Sequence, residues 1–544
     1  MKVSRVLRLS FASLMLAASL ASPAASLAWL ADGQMQTRAF TDDAPPQTAP
    51  LGSLWKLYVY AYLAQTQANE PAYTCPNRPM KAGDENLYCC APGETIGRDL
   101  ALARSCAPYF SAQRLDLSAA DWRAFWQDRA APQWLGDLRR MQPATTVPLP
   151  ELLQSLNVFS PAMRDASRKA LLHAAVEGYG REAWPALGTG VRYKTYSWRD
   201  DAGRALGGGA GWLVDGTPFW FGAAGSSRSA LGQWAGQIAV ALPQTGQWPA
   251  ETACVDVDFF ARYPLRAVWQ GKDLARPGKL NGSYRLEFAN GNTLAIRARG
   301  DLLLQPGASP AISGRFGLNE YIARVIEREG DGIQAQAARA LAIAARTYLI
   351  QNADFASGCW RIADSTRTQR VSPNPPGRAA LAAAWFTDAL VLEGAPVQYH
   401  QHRAGENRLS WQDAVTQAQT GWSFEQILRA AYPRASLMAL DGSRECRRLA
   451  AAEDWLNAAA ARWHRRLARE AGFEALKTPP QICALAAGRP YADQQRLRIH
   501  ARGWRTLDER ITLAHEYLHL VFRFHPNGAD EEYVERLARR LIEG

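Results

Sequence analysis

Two histidines and a glutamate near the end of the chain have the spacing of a metal site. Residues 514–519 read Ala-His-Glu-Tyr-Leu-His and lie between apolar stretches. On a helix, His515 and His519 lie one turn apart on one face and can both reach a zinc ion, while Glu516 is near enough to accept a proton from water. The sequence therefore predicts a zinc site with Glu516 as catalytic base. The alternative is an amphipathic helix whose histidines are hydrogen-bonded.

A zinc site of this kind needs a third protein ligand. His525 follows His515 at the metzincin spacing, but Phe522 stands where that family has a chain-turning glycine. A later acidic helix supplies carboxylates instead, as in gluzincins. The candidates are Glu532 or Glu531, which we prefer over His525, with Glu535 left open. Residues 496–501 alternate as an edge strand does, and a strand before such a helix resembles zincin-type metallopeptidases, in which substrate adds to that strand.

A serine and a lysine form the second candidate site. Residues 51–65, LGSLWKLYVYAYLAQ, begin with a small-residue turn and continue as an apolar helix. Ser53 and Lys56 then lie one turn apart at its N-terminus, where a lysine can take the serine proton and the helix dipole favours the developing anion. The alternative is an ordinary helix cap at Ser53 with a solvated Lys56.

Further motifs follow Ser53 and Lys56 in a fixed order. They are Ser105 within residues 101–110, Lys194-Thr195-Tyr196, a glycine-rich turn, and Trp220-Phe221-Gly222. In this order they resemble the motifs of penicillin-binding transpeptidases and β-lactamases, which implies an α/β domain with Ser53, Lys56, Ser105 and Lys194 as catalytic residues. This sequence departs from that family at two positions. It has Ala107 where the family has Asn, and it has Tyr196 where the family has Gly. Either an acyl-transfer enzyme or a degenerate, muropeptide-binding module fits this pattern.

A third candidate site centres on Glu329, which closes an apolar turn and precedes Gly330-Asp331-Gly332. The next stretch predicts a buried helix, because apolar residues recur at three- and four-residue intervals: Ile333, Ala337, Leu341, Ala344 and Tyr348. Arg339 and Arg346 are seven residues apart and share a second face, where they are expected to bind substrate by holding an anion or an acidic partner. Beside this helix, Glu329 is expected to be partly desolvated; the alternative is a solvated charge run, Glu327-Arg328-Glu329.

Residues 321–329 and 337–348 resemble the peptidoglycan-cleaving domain of stage II sporulation protein D and its amidase-enhancer relatives. The resemblance runs from about residue 260 to 440 and includes Cys359, Asp364-Ser365-Thr366 and Gly421-Trp422-Ser423-Phe424. It implies that Glu329 is an acid/base that protonates a glycosidic oxygen, after which the sugar's own hydroxyl closes on the anomeric carbon. A single carboxyl with a raised pKa then suffices.

Cysteines and histidines elsewhere allow other roles. The eight cysteines include four between residues 75 and 106, which indicate two local disulfides, with Cys89 and Cys90 pairing outward rather than with each other. His400 and His402 alternate as on a strand and either join Cys359 as metal ligands or, as we prefer, are exposed or hydrogen-bonded while Cys359 forms a disulfide. Residues 284–288 and 293–298 predict a hairpin with an Asn-Gly turn.

The first residues direct the chain out of the cytoplasm. A basic start, an apolar run over residues 9–20 and the small residues Ser26-Leu27-Ala28 are typical of a signal peptide, so we expect a periplasmic protein and disulfides. The later sequence has no run of about 20 apolar residues, so an integral membrane protein is not expected. The net charge of +11 favours an anionic partner such as cell-wall polymer or a membrane surface, and the compartment disfavours nucleic acid. The alternative is a set of scattered, solvated arginines.

These observations predict an α+β multidomain protein. The 544 residues exceed what one core organises, since single cores stop growing at about 250–300 residues. The expected parts are a signal peptide (1–28), a transpeptidase-like α/β domain (29–250), a strand-plus-helix sporulation-protein-D-like domain (251–450) and a small helical zincin-like domain (451–544).

The whole chain resembles an uncharacterised family of exported bacterial proteins, the YfaQ-like proteins, often encoded beside bacterial alpha-2-macroglobulins. The resemblance implies an envelope role and a possible alpha-2-macroglobulin partner. The leading functional hypothesis is cleavage of peptidoglycan glycan strands at Glu329. The alternatives are a zinc metallopeptidase and a non-catalytic peptidoglycan-binding scaffold.

Overall fold

The computed structural model describes residues 25–543, with short gaps. These gaps are residues 43, 67–69, 79–88, 91–92, 178–179, 201, 244–247, 441–448, 477, 486–489, 495–496 and 529. The chain is a mixed α+β protein whose N-terminal, middle and C-terminal regions have separate hydrophobic cores. Most of the expected signal peptide, Cys446 and Arg496 lie outside the described residues.

The N-terminal region is built on an antiparallel sheet with helices on both faces. Its strands are β1 (Ser26–Ala31), β2 (Gln34–Ala39), β3 (Thr48–Pro50), β4 (Tyr73–Thr74), β5 (Thr95–Ile96), β6 (Thr146–Pro148), β7 (Arg192–Arg199), β8 (Ala205–Trp212) and β9 (Pro218–Ala224). Its helices are α1 (Trp55–Thr66), α2 (Arg98–Ala103), α3 (Ala119–Gln127), α4 (Leu149–Asn157), α5 (Pro161–Glu177), α6 (Trp184–Leu187) and α7 (Ser227–Ala241). The five-stranded sheet has the order β2-β1-β9-β8-β7. One face packs on a tryptophan-rich core with α1, and the other packs on α7.

Strand β1 contains the expected signal-peptide boundary. Leu27 and Ala28 are buried, and the strand pairs with both β2 and β9. Cleavage after Ala28 would divide this strand and remove buried apolar residues from the core. The boundary at residue 28 stays a prediction.

The glycine-rich stretch forms strand β8 rather than the expected turn. A Cβ atom at Gly208 would lie 1.9 Å from the carbonyl oxygen of Phe221. The glycine thus permits β8 and β9 to approach closely in the middle of the sheet.

The middle region contains an eight-stranded sheet covered by two buried helices. Its strands are β10 (Cys254–Phe259), β11 (Leu265–Gln270), β12 (Asp273–Leu274), β13 (Gly278–Phe288), β14 (Thr293–Gln305), β15 (Ala311–Gly317), β16 (Asp354–Ala356), β17 (Cys359–Ala363), β18 (Leu390–Glu393), β19 (Gln398–His400), β20 (Arg408–Ser410) and β21 (Ser436–Ala439). Its helices are α8 (Leu318–Glu329), α9 (Ala335–Asn352), α10 (Arg378–Phe386), α11 (Trp411–Gln419) and α12 (Phe424–Ala431). The sheet order is β12-β11-β13-β14-β15-β10-β17-β16. The predicted hairpin is confirmed, because β13 and β14 pair antiparallel around the Asn-Gly turn.

The C-terminal region is small and mostly helical. Its strands are β22 (Gln481–Ala484), β23 (Tyr491–Asp493) and β24 (Arg498–Ala501), and its helices are α13 (Ala450–Leu467), α14 (Leu507–Val521) and α15 (Glu531–Ile542). Helix α14 begins at a capping box, in which Thr506 and Glu509 satisfy each other's backbone N–H groups. The sheet order is β22-β24-β23, so the expected edge strand β24 is central and β23 lies at the edge.

Disulfides and ion pairs connect separate segments of the chain. Cys75 pairs with Cys90 and Cys89 with Cys106, which confirms the two local disulfides, and Cys254 pairs with Cys359 across β10 and β17. Two ion pairs join neighbouring regions, Arg192 with Asp388 and Arg434 with Glu531, each at 2.8 Å. Among the described helices, none is long and apolar enough to cross a membrane.

Candidate functional site

Helices α14 and α15 bring three metal-ligating side chains together. The ligand atoms of His515, His519 and Glu531 all lie within 4.8 Å of one another. The two histidine Nε2 atoms are 3.0 Å apart. The carboxylate oxygens of Glu531 lie 3.3 Å from the Nε2 of His515 and 3.8 Å from that of His519. The donor set of two imidazoles and one carboxylate is one that zinc accepts in proteins.

The opposite ring nitrogen of each histidine faces an acceptor. His519 Nδ1 lies 2.7 Å from the carbonyl oxygen of Gly528, and His515 Nδ1 lies 3.0 Å from Glu535 Oε2. A proton on each Nδ1 satisfies both acceptors and leaves the two Nε2 lone pairs directed at a shared position, where a cation can bind. Burial lowers the pKa of His519, which favours the neutral form of that ring.

The structure selects Glu531 from the carboxylates that the sequence offered. Glu532 is largely exposed and pairs with Arg536, so it is not positioned as a ligand. Glu531 and Glu535 are four residues apart and share a helix face, and Glu535 contacts His515 on its Nδ1 side instead. His525 also lies elsewhere, packed against Gly472, and its Nδ1 accepts a hydrogen bond from the Asn527 N–H at 3.2 Å.

Glu516 lies beside this cluster in an apolar setting. Its side chain is buried, and burial raises the pKa of Glu516 to about 8. The backbone N–H of Ala492, in the edge strand β23, opposes this shift. The cluster thus places a buried carboxyl beside the convergent imidazoles, near the edge strand of the small sheet.

Two participants were not identified from the sequence. Arg434, in the middle region, holds Glu531 by an ion pair of 2.8 Å, and the Gly528 carbonyl orients His519. A distant arginine gives no local signal in the sequence. The Pro526-Asn527-Gly528 turn was the sequence feature that indicated a return of the chain toward the histidine helix α14.

The serine-lysine cluster is also assembled. Ser53 lies in a 3-10 turn, Gly52–Leu54, that runs directly into α1. The Nζ atom of Lys56 lies 3.0 Å from Ser53 Oγ and 3.1 Å from Ser105 Oγ. Burial lowers the pKa of Lys56 to about 8 and holds that of Lys194 well below its usual value, with the charge of Lys56 also lowering the latter. A lysine with this pKa is partly neutral near pH 8 and can then accept a proton from a serine hydroxyl.

Tyr196 does not lie where substrate was expected. Its side chain is buried and stacks on Trp220 at 6.4 Å between ring centroids. A Cβ atom at Gly52 would approach Tyr196 Cβ to 3.1 Å, and Gly52 has a φ of +46°. The bulky ring is therefore accommodated in the core below the Ser53 turn, with a glycine opposite it.

Glu329 is the last residue of α8, as the sequence predicted. Its Oε1 accepts from the backbone N–H of Arg370 at 3.0 Å. Burial raises the pKa of Glu329 above its usual value, although that hydrogen bond and the charges of Arg370 and Arg328 oppose the shift. Burial also raises the pKa of Asp364 nearby. The carboxyl of Glu329 is thus partly desolvated, as expected for an acid catalyst.

The two arginines of α9 lie in different settings. Arg346 is fully buried and donates to the carbonyl oxygens of Thr387, Leu390 and Ala384 and to the side chain of Asn319, so its guanidinium is a structural group and its expected binding role is wrong. Arg339 is partly buried and stacks on the ring of Phe386 at 3.4 Å, and its binding role stays a prediction. Ile333, expected on the buried face, precedes the helix and is 83% exposed.

His400 and His402 do not form a metal site with Cys359. The disulfide with Cys254 uses the Cys359 sulfur, and both histidines are exposed. The Nδ1 atom of His400 accepts from the His402 N–H at 3.0 Å. The preferred alternative is therefore confirmed.

Comparison with known proteins places the chain in a family. Residues 82–204 and 407–527 match the model of a predicted secreted protein family, DUF2300. The chain is 41% identical over 505 residues to "Uncharacterized protein YfaQ" of Escherichia coli (strain K12), covering 91% of this chain and 90% of that protein. The chain belongs to the YfaQ family. The expectation of export is confirmed by the family description, and the disulfides fit an exported protein.

The matched family segments include parts of two candidate clusters. The first segment contains Ser105 and Lys194, and the second contains His515, Glu516 and His519. The N-terminal part of this YfaQ-family protein is similar to solved transpeptidase and β-lactamase structures. An ancestral class A β-lactamase of Gram-negative bacteria matches 40% of this chain and 94% of its own, with 14% identity and a TM-score of 0.28. The transpeptidase domain of FtsI4 from Legionella pneumophila matches 40% of this chain and 88% of its own, with 13% identity and a TM-score of 0.28.

Proposed function

We propose that this secreted protein is a zinc-dependent peptidase of the cell envelope, with its centre between α14 and α15. The observation that carries the proposal is the pair of Nε2 atoms 3.0 Å apart, each on a ring whose Nδ1 is already bonded. His515, His519 and Glu531 would hold the ion. Zinc in such a ligand set supplies Lewis acidity toward a carbonyl group.

The side chains around the ion position define the rest of the reaction. Glu516 would take a proton from the attacking water and deliver it to the leaving amine nitrogen. Glu535 and the Gly528 carbonyl hold the imidazoles in the orientation in which Nε2 is the free donor atom. The edge strand β23 supports the choice of a peptide substrate, because an extended chain can pair with an open strand edge.

The test uses the full mature chain. The protein should cleave peptides of a mixed library, and this cleavage should be lost when a chelator is added and restored when zinc is added back. Glu516→Gln should lower the rate by about 10² or more while zinc stays bound, whereas the exposed Glu532→Gln should match the unaltered protein. Cleavage that persists in the chelator or in Glu516→Gln would contradict the proposal.

A second function, cleavage of peptidoglycan glycan strands at Glu329, is favoured by the half-buried carboxyl at the end of α8. A protonated Glu329 would donate to the glycosidic oxygen, and the raised pKa keeps a larger protonated fraction near neutral pH. The net charge of +11 suits the anionic cell-wall polymer as a partner. The alpha-2-macroglobulin partner stays a prediction.

Incubation with purified sacculi tests this second function. The protein should release anhydro-muropeptides, and the rate should fall as pH rises through the pKa of Glu329, because the acid form is lost. Glu329→Gln should abolish release, and Glu327→Gln, an exposed neighbour in the same helix, should not. Equal release by Glu329→Gln would remove this residue from the reaction. Binding to sacculi without any product would instead favour a non-catalytic scaffold.

A further inference from the structure

A cleft of about 650 Å³ separates the middle and C-terminal regions. Its middle-region wall includes Tyr348 of α9 and Tyr399 of β19. Its C-terminal wall includes Tyr491, Ala492 and Gln494, at the edge strand β23 and just after it. The cleft is large enough for several residues of an extended chain.

The C-terminal wall of this cleft contacts the helix that carries the proposed zinc centre. Gln494 Nε2 donates to the backbone oxygen of His519 at 3.3 Å. A ligand that lies beside β23 in the cleft is therefore held next to α14.

The middle-region wall is basic. Arg367, Arg403 and Arg408 line it together with His400, and none of the lining side chains that the structure describes is a carboxylate. Arg408 is held by two hydrogen bonds to Gln398 Oε1, at 2.7 and 3.3 Å, and is thereby oriented. Arg367 and Arg403 are exposed, and neither guanidinium has a side-chain partner among the described residues. Free guanidinium groups of this kind bind carboxylates through paired N–H donors.

We propose that this cleft selects acidic peptides, which pair with the edge of β23 and place their carboxylates on Arg367, Arg403 and Arg408. The inference deepens the proposed peptidase function and rests on it for the identity of the reaction. It assigns the substrate class: extended peptides that carry Asp or Glu side chains. Neutral peptides of the same length then lose the carboxylate contacts while they keep the backbone pairing.

Binding is measured without turnover, in the full-length Glu516→Gln protein. Fluorescence polarisation compares a labelled ten-residue peptide of alternating Glu and Ala with its Gln-Ala counterpart. The acidic peptide should bind at least about 10-fold more tightly at low salt, and the preference should shrink at high salt. The double variant Arg367→Gln/Arg403→Gln should remove most of this preference and leave binding of the neutral peptide unchanged. Arg408→Gln should act in the same direction.

Arg276→Gln is the matched control, because Arg276 is exposed in the same region and does not line the cleft. Equal affinity for both peptides, or a preference that survives the double variant, would overturn the inference. So would heparin that competes as well as the acidic peptide, since the cleft would then bind any polyanion. Zinc content and cleavage are measured separately on the unaltered protein. Selective binding without zinc would overturn the peptidase proposal alone, and zinc-dependent cleavage without selectivity would overturn only this inference.

Discussion

The three glutamates at the start of α15 give a graded prediction for zinc affinity. Alanine at Glu531 removes a proposed ligand and should weaken zinc binding most, by about 100-fold or more. Alanine at Glu535 removes the acceptor that holds His515 Nδ1 at 3.0 Å. A hydrogen bond to a charged group contributes about 1.5–3 kcal/mol, and the half-exposed position of Glu535 places its effect at the lower end.

That value corresponds to a loss of about 10-fold in zinc affinity for Glu535→Ala, since about 1.4 kcal/mol is a factor of ten. Glu532→Ala is the matched control, because its side chain is 83% exposed and pairs with Arg536. The three variants and the unaltered protein are compared by competition with a chromogenic zinc chelator at pH 7.5. A loss in Glu532→Ala as large as that in Glu531→Ala, or no loss in Glu535→Ala, would refute this assignment of the ligands.

Three further predictions concern the other parts of the chain. Labelling of Ser53 by a serine-reactive fluorophosphonate should rise with pH through about 8, the pKa to which burial lowers that of Lys56, and should be lost in Lys56→Ala; labelling independent of pH would show that Lys56 is not the base. Replacing Cys254 and Cys359 by serine should lower the free energy of unfolding in urea by about 2–5 kcal/mol, because the disulfide closes a loop with a sequence separation of 105; unchanged stability would contradict this. Arg346→Met should destabilise the chain by about 3–5 kcal/mol by leaving buried acceptors unpaired, and a normal urea midpoint would contradict the structural role of Arg346.

The proposed zinc ligands illustrate what the sequence could and could not predict. His515 and His519 were identifiable because their spacing fixes a shared helix face whatever the rest of the chain does. The identity of the third ligand depends on the residue at which α15 begins and on how the turn at residues 526–528 places α15 against α14. Once that start is known, Glu531 and Glu535 share a face by helical spacing, and Glu532 turns away from it. The sequence alone gave no start precise enough to separate adjacent carboxylates.

Strand order and buried arginines were less accessible to prediction. The alternation in residues 498–501 correctly predicts a strand, but alternation does not tell a central strand from an edge strand in a small sheet. The spacing of Arg339 and Arg346 suggested a functional face. In the folded chain that face meets the carbonyl ends of neighbouring segments, such as Thr387 and Leu390, which are distant in sequence.

The serine-lysine cluster shows the opposite case. Four residues spread over residues 53–194 were expected to meet because they resemble the motifs of penicillin-binding transpeptidases and β-lactamases. The structure brings Lys56 to both Ser53 and Ser105. The sequence could not show that the Tyr196 ring would turn into the core, since that depends on the space that Gly52 leaves opposite it.

The central claim is that the imidazoles of α14 hold zinc, and elemental analysis of the purified full-length protein tests it most directly. After export and purification without chelator, we expect about one zinc ion per chain. The double variant His515→Ala/His519→Ala should contain almost none while its circular dichroism stays unchanged. A chain that stays free of zinc after incubation with the ion, or a double variant that retains it, would contradict the account.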